Sequence, residues 1–321
     1  MSDPTVSIIT PSFNHGPYIE ATIRSVLEQD YPRLQYMVVD GGSTDQTLQI
    51  LKKYESSQAA DERFRWISGP DHGQADAINK GFSLNPGEIL GWLNSDDTYA
   101  PGAISAVARF FAEHPEADLV YGDADFIDAS GSLIARCAHV EPFDRRRLLH
   151  YSDFLAQPAV FFRRKLFEAV GGLDTSLNWT MDYDLWLKAA ACATFAYLPR
   201  VLANYRWLES SKTGTGGADR LREVETVVKR YGAGGLPAYF RLETVRLHLL
   251  EAWADARRGR LLHAGSQAAS AAVAVLASPR AIRSLFHART WKIIWTGQVL
   301  RSRANNAPPA AGERKGHGFV S

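Results

Sequence analysis

Two adjacent carboxylates, Asp96 and Asp97, close the run Glu88-Ile89-Leu90-Gly91-Trp92-Leu93-Asn94-Ser95. Like charges side by side repel, and desolvating them is costly unless a cation neutralises them. Mg²⁺ and Mn²⁺ favour oxygen ligands, and Mg²⁺ is commonly held by one or two carboxylates together with substrate phosphates. The pair thus has the chemistry of a metal–diphosphate site. It also suits a solvated acidic turn, because Asp is a common turn residue. Further acids end apolar runs or follow them closely: Asp40, Asp71, and Asp123 with Asp125. If those runs are parallel strands, their C-terminal ends share one edge, where ligands of open α/β sheets bind. One such Asp means little; several on one edge favour a nucleotide–metal site.

The elements that must carry these residues follow from the pattern. Val6 to Asn14 reads as a strand stopped at Pro11, and Gln35 to Asp40 as a second buried strand. Phe64 to Ser68 is a short third, and Ile89 to Leu93 a fourth without strict alternation, as expected of a strand covered on both faces. Helical spacing lies between them at Pro17–Gln29, from a Ser43 or Thr44 cap to Tyr54, and at Gly73–Phe82. Alternation of this kind implies an α/β fold with a mostly parallel sheet and right-handed crossovers. From about residue 120 the pattern becomes mixed: a strand at 118–122, a hairpin around Ala129-Ser130-Gly131, strands at 157–163 and 195–207, and a helix at 182–192. Residues 1–208 form one domain, with a first half to 120 and a second from 121. Residues 209–237 read as a Gly-rich flexible loop, a helix and a linker. Residues 238–303 read as a helical, basic extension, and 304–321 as a disordered tail.

Composition is that of an ordinary globular chain, 45% hydrophobic and 22% charged. Cys137 and Cys192 stand alone, which excludes a disulfide framework and a cysteine zinc site. The net charge of +1 hides an asymmetry, with +10 on residues 256–321 and −9 on the remainder. Ile282, Leu285, Phe286, Ile293, Ile294 and Trp295 interleave there with Arg and Lys. This pattern suits either an interfacial helix on an anionic membrane surface or a helix packed on the domain. No recognition fold supports nucleic-acid binding. No signal peptide is visible and no apolar run is long enough to span a bilayer, so a cytoplasmic protein, peripheral at the membrane, is expected.

Four segments together carry a family resemblance: Ser7-Ile8-Ile9-Thr10-Pro11-Ser12-Phe13-Asn14, Val38-Val39-Asp40-Gly41-Gly42-Ser43-Thr44-Asp45, Asp71 to Gly81, and Asn94-Ser95-Asp96-Asp97. They resemble the donor-binding half of family 2 glycosyltransferases, inverting enzymes of the GT-A fold that use nucleotide sugars. The resemblance implies that Thr10, Pro11, Ser12 and Asn14 contact the nucleoside and that Asp40 accepts a hydrogen bond from the uracil imide. It implies that Ser43, Asp71, Asp76 and Asn94 shape the donor cleft. For Asp76 and Lys80 a solvated or capping position on a helix fits as well. Asp96 is implied near ribose and metal, and Asp97 as ligand of a Mn²⁺ or Mg²⁺ that bridges the diphosphate. In the family an Asp after a Glu, at the start of an acceptor-side helix, is the general base. Asp182 aligns with it, while Met181 replaces the Glu. Asp182 and Asp184 also suit the first turn of a helix on dipole grounds alone. Gln157 and Trp179 fall where an acceptor pocket would be.

Processive members carry Gln-x-x-Arg-Trp and spanning helices. Here Ala203-Asn204-Tyr205-Arg206-Trp207 lacks the Gln, so addition of one sugar is expected, with Arg206 near the diphosphate or acceptor. The implied partners are a nucleotide-sugar donor, with UDP the expected carrier, and a glycan or lipid-linked saccharide acceptor of cell-surface polysaccharide synthesis. Two other classes stay open on the residues. A nucleotidyltransferase would want a Gly-rich basic loop where Asn14-His15-Gly16-Pro17 stands, and an inactive sugar-nucleotide or glycan binding module is compatible with Met181.

Overall fold

A single nine-stranded sheet organises the described residues, in the order β3 (Phe64–Ser68), β2 (Leu34–Asp40), β1 (Val6–Ser12), β4 (Ile89–Trp92), β8 (Val160–Arg163), β6 (Leu119–Ile127), β9 (Phe195–Arg206) and β5 (Thr98–Tyr99), with β7 (Leu133–Arg136) attached to β6. The computed structural model describes residues 3–57, 62–137, 139–208 and 211–276. The basic stretch 279–303 and the tail 304–321 lie outside them. β1 (Val6–Ser12), β2 (Leu34–Asp40), β3 (Phe64–Ser68) and β4 (Ile89–Trp92) are mutually parallel. Every residue of β1 and β4 is buried, as the runs without alternation require. Two of the buried hydroxyls in β1 have partners: Ser7 donates to Asn85 O, and Thr10 accepts from Tyr36.

Helices α1 (Gly16–Leu27), α2 (Thr47–Ser57), α3 (Gln74–Leu84) and α4 (Ala103–Glu113) flank these strands. Helix α1 starts with Pro17 in its first turn and buries Ile19, Thr22, Ile23 and Val26, one stripe at helical spacing. Asp45, rather than Ser43 or Thr44, caps α2, accepting from Thr47 N at 2.9 Å. Its other oxygen accepts from Gly16 N at 2.8 Å and so joins the starts of two helices. Helix α3 lies so close to β1 that a Cβ at Gly81 would come within 2.6 Å of Ile9.

The second half departs from simple alternation. β6 (Leu119–Ile127) is one long strand that includes the expected 118–122 segment and the first arm of the hairpin, with β7 (Leu133–Arg136) as the second arm. β8 (Val160–Arg163) follows a 3-10 turn at Gln157–Ala159 and lies antiparallel between β4 and β6. β9 (Phe195–Arg206) runs parallel to β6, and the short β5 (Thr98–Tyr99) pairs antiparallel with β9. Three helices on this side are α5 (Arg145–His150), α6 (Arg164–Ala169) and α7 (Met181–Ala189). Trp92 of β4 stacks on Trp186 of α7 with ring centres 5.5 Å apart and planes at 17°, and Phe162 of β8 meets both edge-on. This dry aromatic contact fixes α7 against the strand that leads into Asp96 and Asp97.

The segment expected as a flexible Gly-rich loop is ordered from Ser211 onward, as α8 (Lys212–Thr215) and α9 (Gly217–Arg230). Helix α9 buries Leu221, Val224, Val227 and Val228. That apolar stripe overrides the local preference of the glycines for a loop. Beyond it α10 (Ala238–Arg257) and α11 (Leu261–Leu276) form a helical hairpin. The start of α10 is seated on the domain, through Tyr239 N to Tyr151 O at 2.8 Å and Phe240 against Tyr183. Among the described residues no helix is long and apolar enough to cross a membrane.

Candidate active site

Register aligns Ser12 with Asp40 and Asp40 with Ser68, so β1 to β3 end together, and Trp92 pairs with Ile9 nearby. The loops beyond these ends form one wall of a cleft of about 1110 Å³, and the start of α7 and α8 form the other. Pro11, Ser12, Asn14, Asp71, Asn94, Asp96, Asp97, Gln157, Trp179 and Asp182 all line it. Asn14 adopts a left-handed backbone conformation (φ 53°) stabilised from both sides: its N–H donates to Ser43 Oγ at 2.7 Å and its Oδ1 accepts from Thr44 N at 2.8 Å.

Four residues expected at the donor lie elsewhere. Thr10 is fully buried under Tyr36, and Ser43 is buried as the support of Asn14. Asp76 sits in the first turn of α3 and accepts from His72 N at 3.0 Å, a local capping arrangement. Asp40 is turned into the protein, where it accepts from Ser43 N at 2.9 Å, Ser43 Oγ at 2.5 Å, Gly42 N at 3.1 Å and Ser68 Oγ at 2.6 Å. With those bonds its acceptor capacity is taken up. Of the wall carboxylates on this side of the cleft, Asp45 already joins the starts of α1 and α2, which leaves Asp71. It lies over Gly41, where a Cβ would meet its Oδ2 at 2.8 Å. Asp123 and Asp125 also leave the group of candidates. They sit within β6, paired with Arg136 at 3.4 and 2.5 Å, and Tyr197 donates to Asp123.

Asp97 is 1% exposed, its Oδ1 accepting from Arg206 N at 2.8 Å and its Oδ2 from Asn94 Nδ2 at 3.4 Å. Burial, and then the charge of Asp96, push its carboxyl well above the usual range. Burial also raises Asp96, against the attraction of His15 and Arg206. A pair held at this electrostatic disadvantage fits a divalent cation. Among the described residues no cluster of three or more His, Cys, Asp or Glu could hold a metal unaided, so a cation here would share its oxygen shell with a ligand's phosphates. Ser12 Oγ and Trp92 Nε1, buried atoms of wall residues, have no partner within the protein.

Arg206 does not reach the cleft as a free cation. It is 4% exposed, and its guanidinium donates to Asp96 O at 2.7 Å and to Asp128 O and Ala129 O at 2.7 and 3.1 Å, above the ring of Tyr18. With its backbone N–H on Asp97, it clamps the acidic turn to the β6–β7 hairpin. Among the described residues the basic side chains of the wall are His15 and Lys212. Lys212 starts a relay of amides: its Nζ donates to Gln74 Oε1 at 3.3 Å, Gln74 to Asn94 Oδ1 at 2.7 Å, Asn94 to Gln157 Oε1 at 3.1 Å, and Gln157 to Trp92 O at 3.0 Å.

Across the cleft, one oxygen of Asp182 accepts from Tyr183 N at 2.8 Å. Burial lifts its carboxyl above the usual range, while Arg220 and Lys212 oppose the shift. Asp153 is pushed up as well, by burial and then by Asp182. Burial lowers Lys212, which Asp182 and Glu223 partly restore. A raised carboxylate facing a carboxylate–amide wall can take a proton from a bound hydroxyl. No local sequence signal marks His15, Gln74, Asp153 or Lys212 as a site residue. Each reaches its partner only through the fold, and Lys212 lies in a stretch whose composition signals a loop.

Comparison with known proteins matches residues 7–171 to the model of "Glycosyl transferase family 2". A PGL/p-HBAD biosynthesis glycosyltransferase of Mycobacterium tuberculosis is 32% identical over 211 residues, 64% of this chain and 78% of that protein. A chondroitin synthase of Pasteurella multocida is 28% identical over 70% of this chain, and a hyaluronan synthase of the same organism 29% over 63%. The matches span 23% and 20% of those two proteins. Among solved structures, S. aureus TarS 1–349 in complex with UDP-GlcNAc superposes with a TM-score of 0.59 at 20% identity, covering 95% of this chain and 93% of that one. The mannosyltransferase PcManGT of Pyrobaculum calidifontis, in complex with GDP-Man and Mn²⁺, gives 0.55 at 21%, covering 95% and 88%.

Proposed function

Since the chain belongs to glycosyl transferase family 2 and is a glycosyltransferase of GT-A fold, we propose that it transfers one sugar, with inversion, from a nucleoside diphosphate sugar to a hydroxyl of a glycan or lipid-linked saccharide. The observation that carries this reading is the placement of the Asp96–Asp97 pair and Asp182 on the walls of one cleft. In the proposed step the acceptor oxygen bonds to the anomeric carbon as the bond from that carbon to the diphosphate breaks. The acceptor proton passes to Asp182, and the nucleoside diphosphate leaves. A Mn²⁺ or Mg²⁺ held by Asp96 and Asp97 would supply charge stabilisation for the departing diphosphate. Lys212 adds positive charge to the same cleft, and the amide relay through Gln74, Asn94 and Gln157 keeps Asn94 aimed at Asp97.

At the nucleobase end Asp71 takes the part first expected of Asp40. A carboxylate there accepts from the imide N–H of uracil and equally from the N1–H and amino group of guanine. The two solved neighbours were crystallised with one carrier each. Our reading favours a UDP-sugar, the carrier in one of those neighbours, and a saccharide acceptor of cell-surface polysaccharide synthesis; the relatives include a chondroitin and a hyaluronan synthase. A thermal-shift screen of UDP- and GDP-sugars with and without Mn²⁺ tests it. A ligand at about a hundred times its Kd stabilises by roughly 2.7 kcal/mol. The expected result is a rise in Tm for a UDP-sugar that depends on Mn²⁺. A rise with nucleoside triphosphates alone would favour nucleotidyl transfer.

A further inference from the structure

We propose that Glu223 is the positioning residue of the base, holding the chain that leads into Asp182 from a helix beyond the matched family region. The proposal rests on the assignment of Asp182 made above. Glu223 belongs to α9, and residues 7–171 are those that match the family model. Its Oε1 accepts from Trp179 N at 2.7 Å, Thr180 N at 2.8 Å and Thr180 Oγ1 at 2.7 Å, and its Oε2 accepts from Asn178 N at 2.9 Å. Four short bonds from three consecutive residues use the whole acceptor capacity of one carboxylate. Asn178, Trp179, Met181 and Asp182 line the cleft, so the bonded backbone is the cleft wall itself.

The sequence of α7 does not provide this restraint. Thr180 stands at its N-cap without capping the helix through its own side chain, since its hydroxyl donates to Glu223. Met181 is an apolar, buried residue. A carboxylate at a helix N-terminus is also attracted by the positive end of the dipole. A second contact strengthens the link: a Cβ at Gly216, next to the start of α9, would come within 2.9 Å of the Trp179 indole. The same run of chain carries Lys212, bonded across the cleft to Gln74. Residues 211–230 therefore join the donor wall to the start of the base helix. A base displaced by about 1 Å can lose on the order of a hundredfold in rate, although nothing that touches the donor has changed.

The test uses the full chain and the nucleotide sugar, from a panel of UDP- and GDP-sugars, that the wild type hydrolyses fastest in Mn²⁺. Turnover is expressed per nucleotide-binding site, counted by titration with the matching nucleoside diphosphate, so loss of folded protein does not register. Glu223→Ala is expected to lower kcat per site by about thirty- to a hundredfold with donor KM within about threefold of wild type. Glu223→Gln keeps the oxygen that takes three of the four bonds and should lose only about three- to tenfold, again in kcat. Wild-type kcat per site in Glu223→Ala, or a rise in KM that matches the fall in kcat, overturns the proposal. If Glu223→Ala does not fold, Glu223→Gln decides on the same criteria, and unchanged kcat overturns it. Asp182→Asn separates the two claims. Wild-type turnover in that variant removes the base assignment and this proposal with it. An inactive Asp182→Asn beside fully active Glu223 variants removes this proposal alone.

Discussion

Asp182→Asn lowers transfer by about a thousandfold and leaves affinity for the nucleoside diphosphate near the wild-type value. The substitution keeps the shape of the side chain and the oxygen that accepts from Tyr183 N, so the start of α7 stays in place. What it removes is the capacity to take a proton. General-base catalysis is worth about 10²–10⁴ in rate, and a base works best when its pKa approaches the working pH. Burial has already moved Asp182 in that direction, and Asp153 beside it shares the rise. The sign for the wild type follows. The base must be unprotonated, so kcat/KM falls as pH drops through the raised pKa of the Asp153–Asp182 pair, and this acidic limb lies above the range of an ordinary carboxylate. Initial rates of diphosphate release across pH, together with isothermal titration of the diphosphate, check both parts. A variant that retains wild-type turnover would remove Asp182 from the reaction.

Asp97→Asn is the second large effect, with a loss of about a hundred- to a thousandfold in turnover and loss of the thermal stabilisation by Mn²⁺. Asp97 and Asp96 are both raised in the folded chain, chiefly by burial and, for Asp97, next by its neighbour. For acids raised by folding, the linked stability is fully present below the unfolded pKa and is lost as pH rises through the folded value. The metal-free protein therefore loses stability across that interval as the pH rises. With a nucleoside diphosphate bound, Mn²⁺ competes with protons for the same oxygens, so the gain in Tm on adding Mn²⁺ to the diphosphate complex grows with pH over the same window. Asp97→Asn abolishes this pH-dependent gain. Melting curves of the nucleoside diphosphate complex with Mn²⁺ and with EDTA at several pH values read it directly, and a metal-induced shift that survives in the variant would place the cation elsewhere.

How much of this was legible before the fold is clearest from single residues. The run Ile89 to Leu93 reads as a strand covered on both faces, and the structure has it so, with Asp96 and Asp97 just beyond its end. The first three strands and their helices were legible for the same reason: local periodicity encodes them. β8 was not legible as the antiparallel partner between β4 and β6, because that pairing joins residues about forty positions apart on one side and about seventy on the other. Asp40 misled because its type and place at a strand end suit ligand binding. Only the register with Ser68 and the turn at Ser43 shows that its oxygens are used internally. Arg206 looked like a free cation for the same reason, and the carbonyls it holds lie some eighty and one hundred and ten residues away. Lys212 and Glu223 were hidden most fully. Lys212 lies within a Gly-, Ser- and Thr-rich stretch and Glu223 just after it, and their partners, Gln74 and residues 178–180, are distant in sequence.

Inverting sugar transfer from a nucleoside diphosphate sugar, with the base on α7, carries a stereochemical signature. Proton NMR of the first minutes of donor turnover in Mn²⁺ tests it most directly, with water or a saccharide as acceptor. From an α-linked nucleoside diphosphate sugar, the account predicts that the nucleoside diphosphate and the β-anomer of the transferred sugar appear together, before any mutarotation. First-formed α-anomer, or release of a sugar 1-phosphate with nucleoside monophosphate, would contradict it.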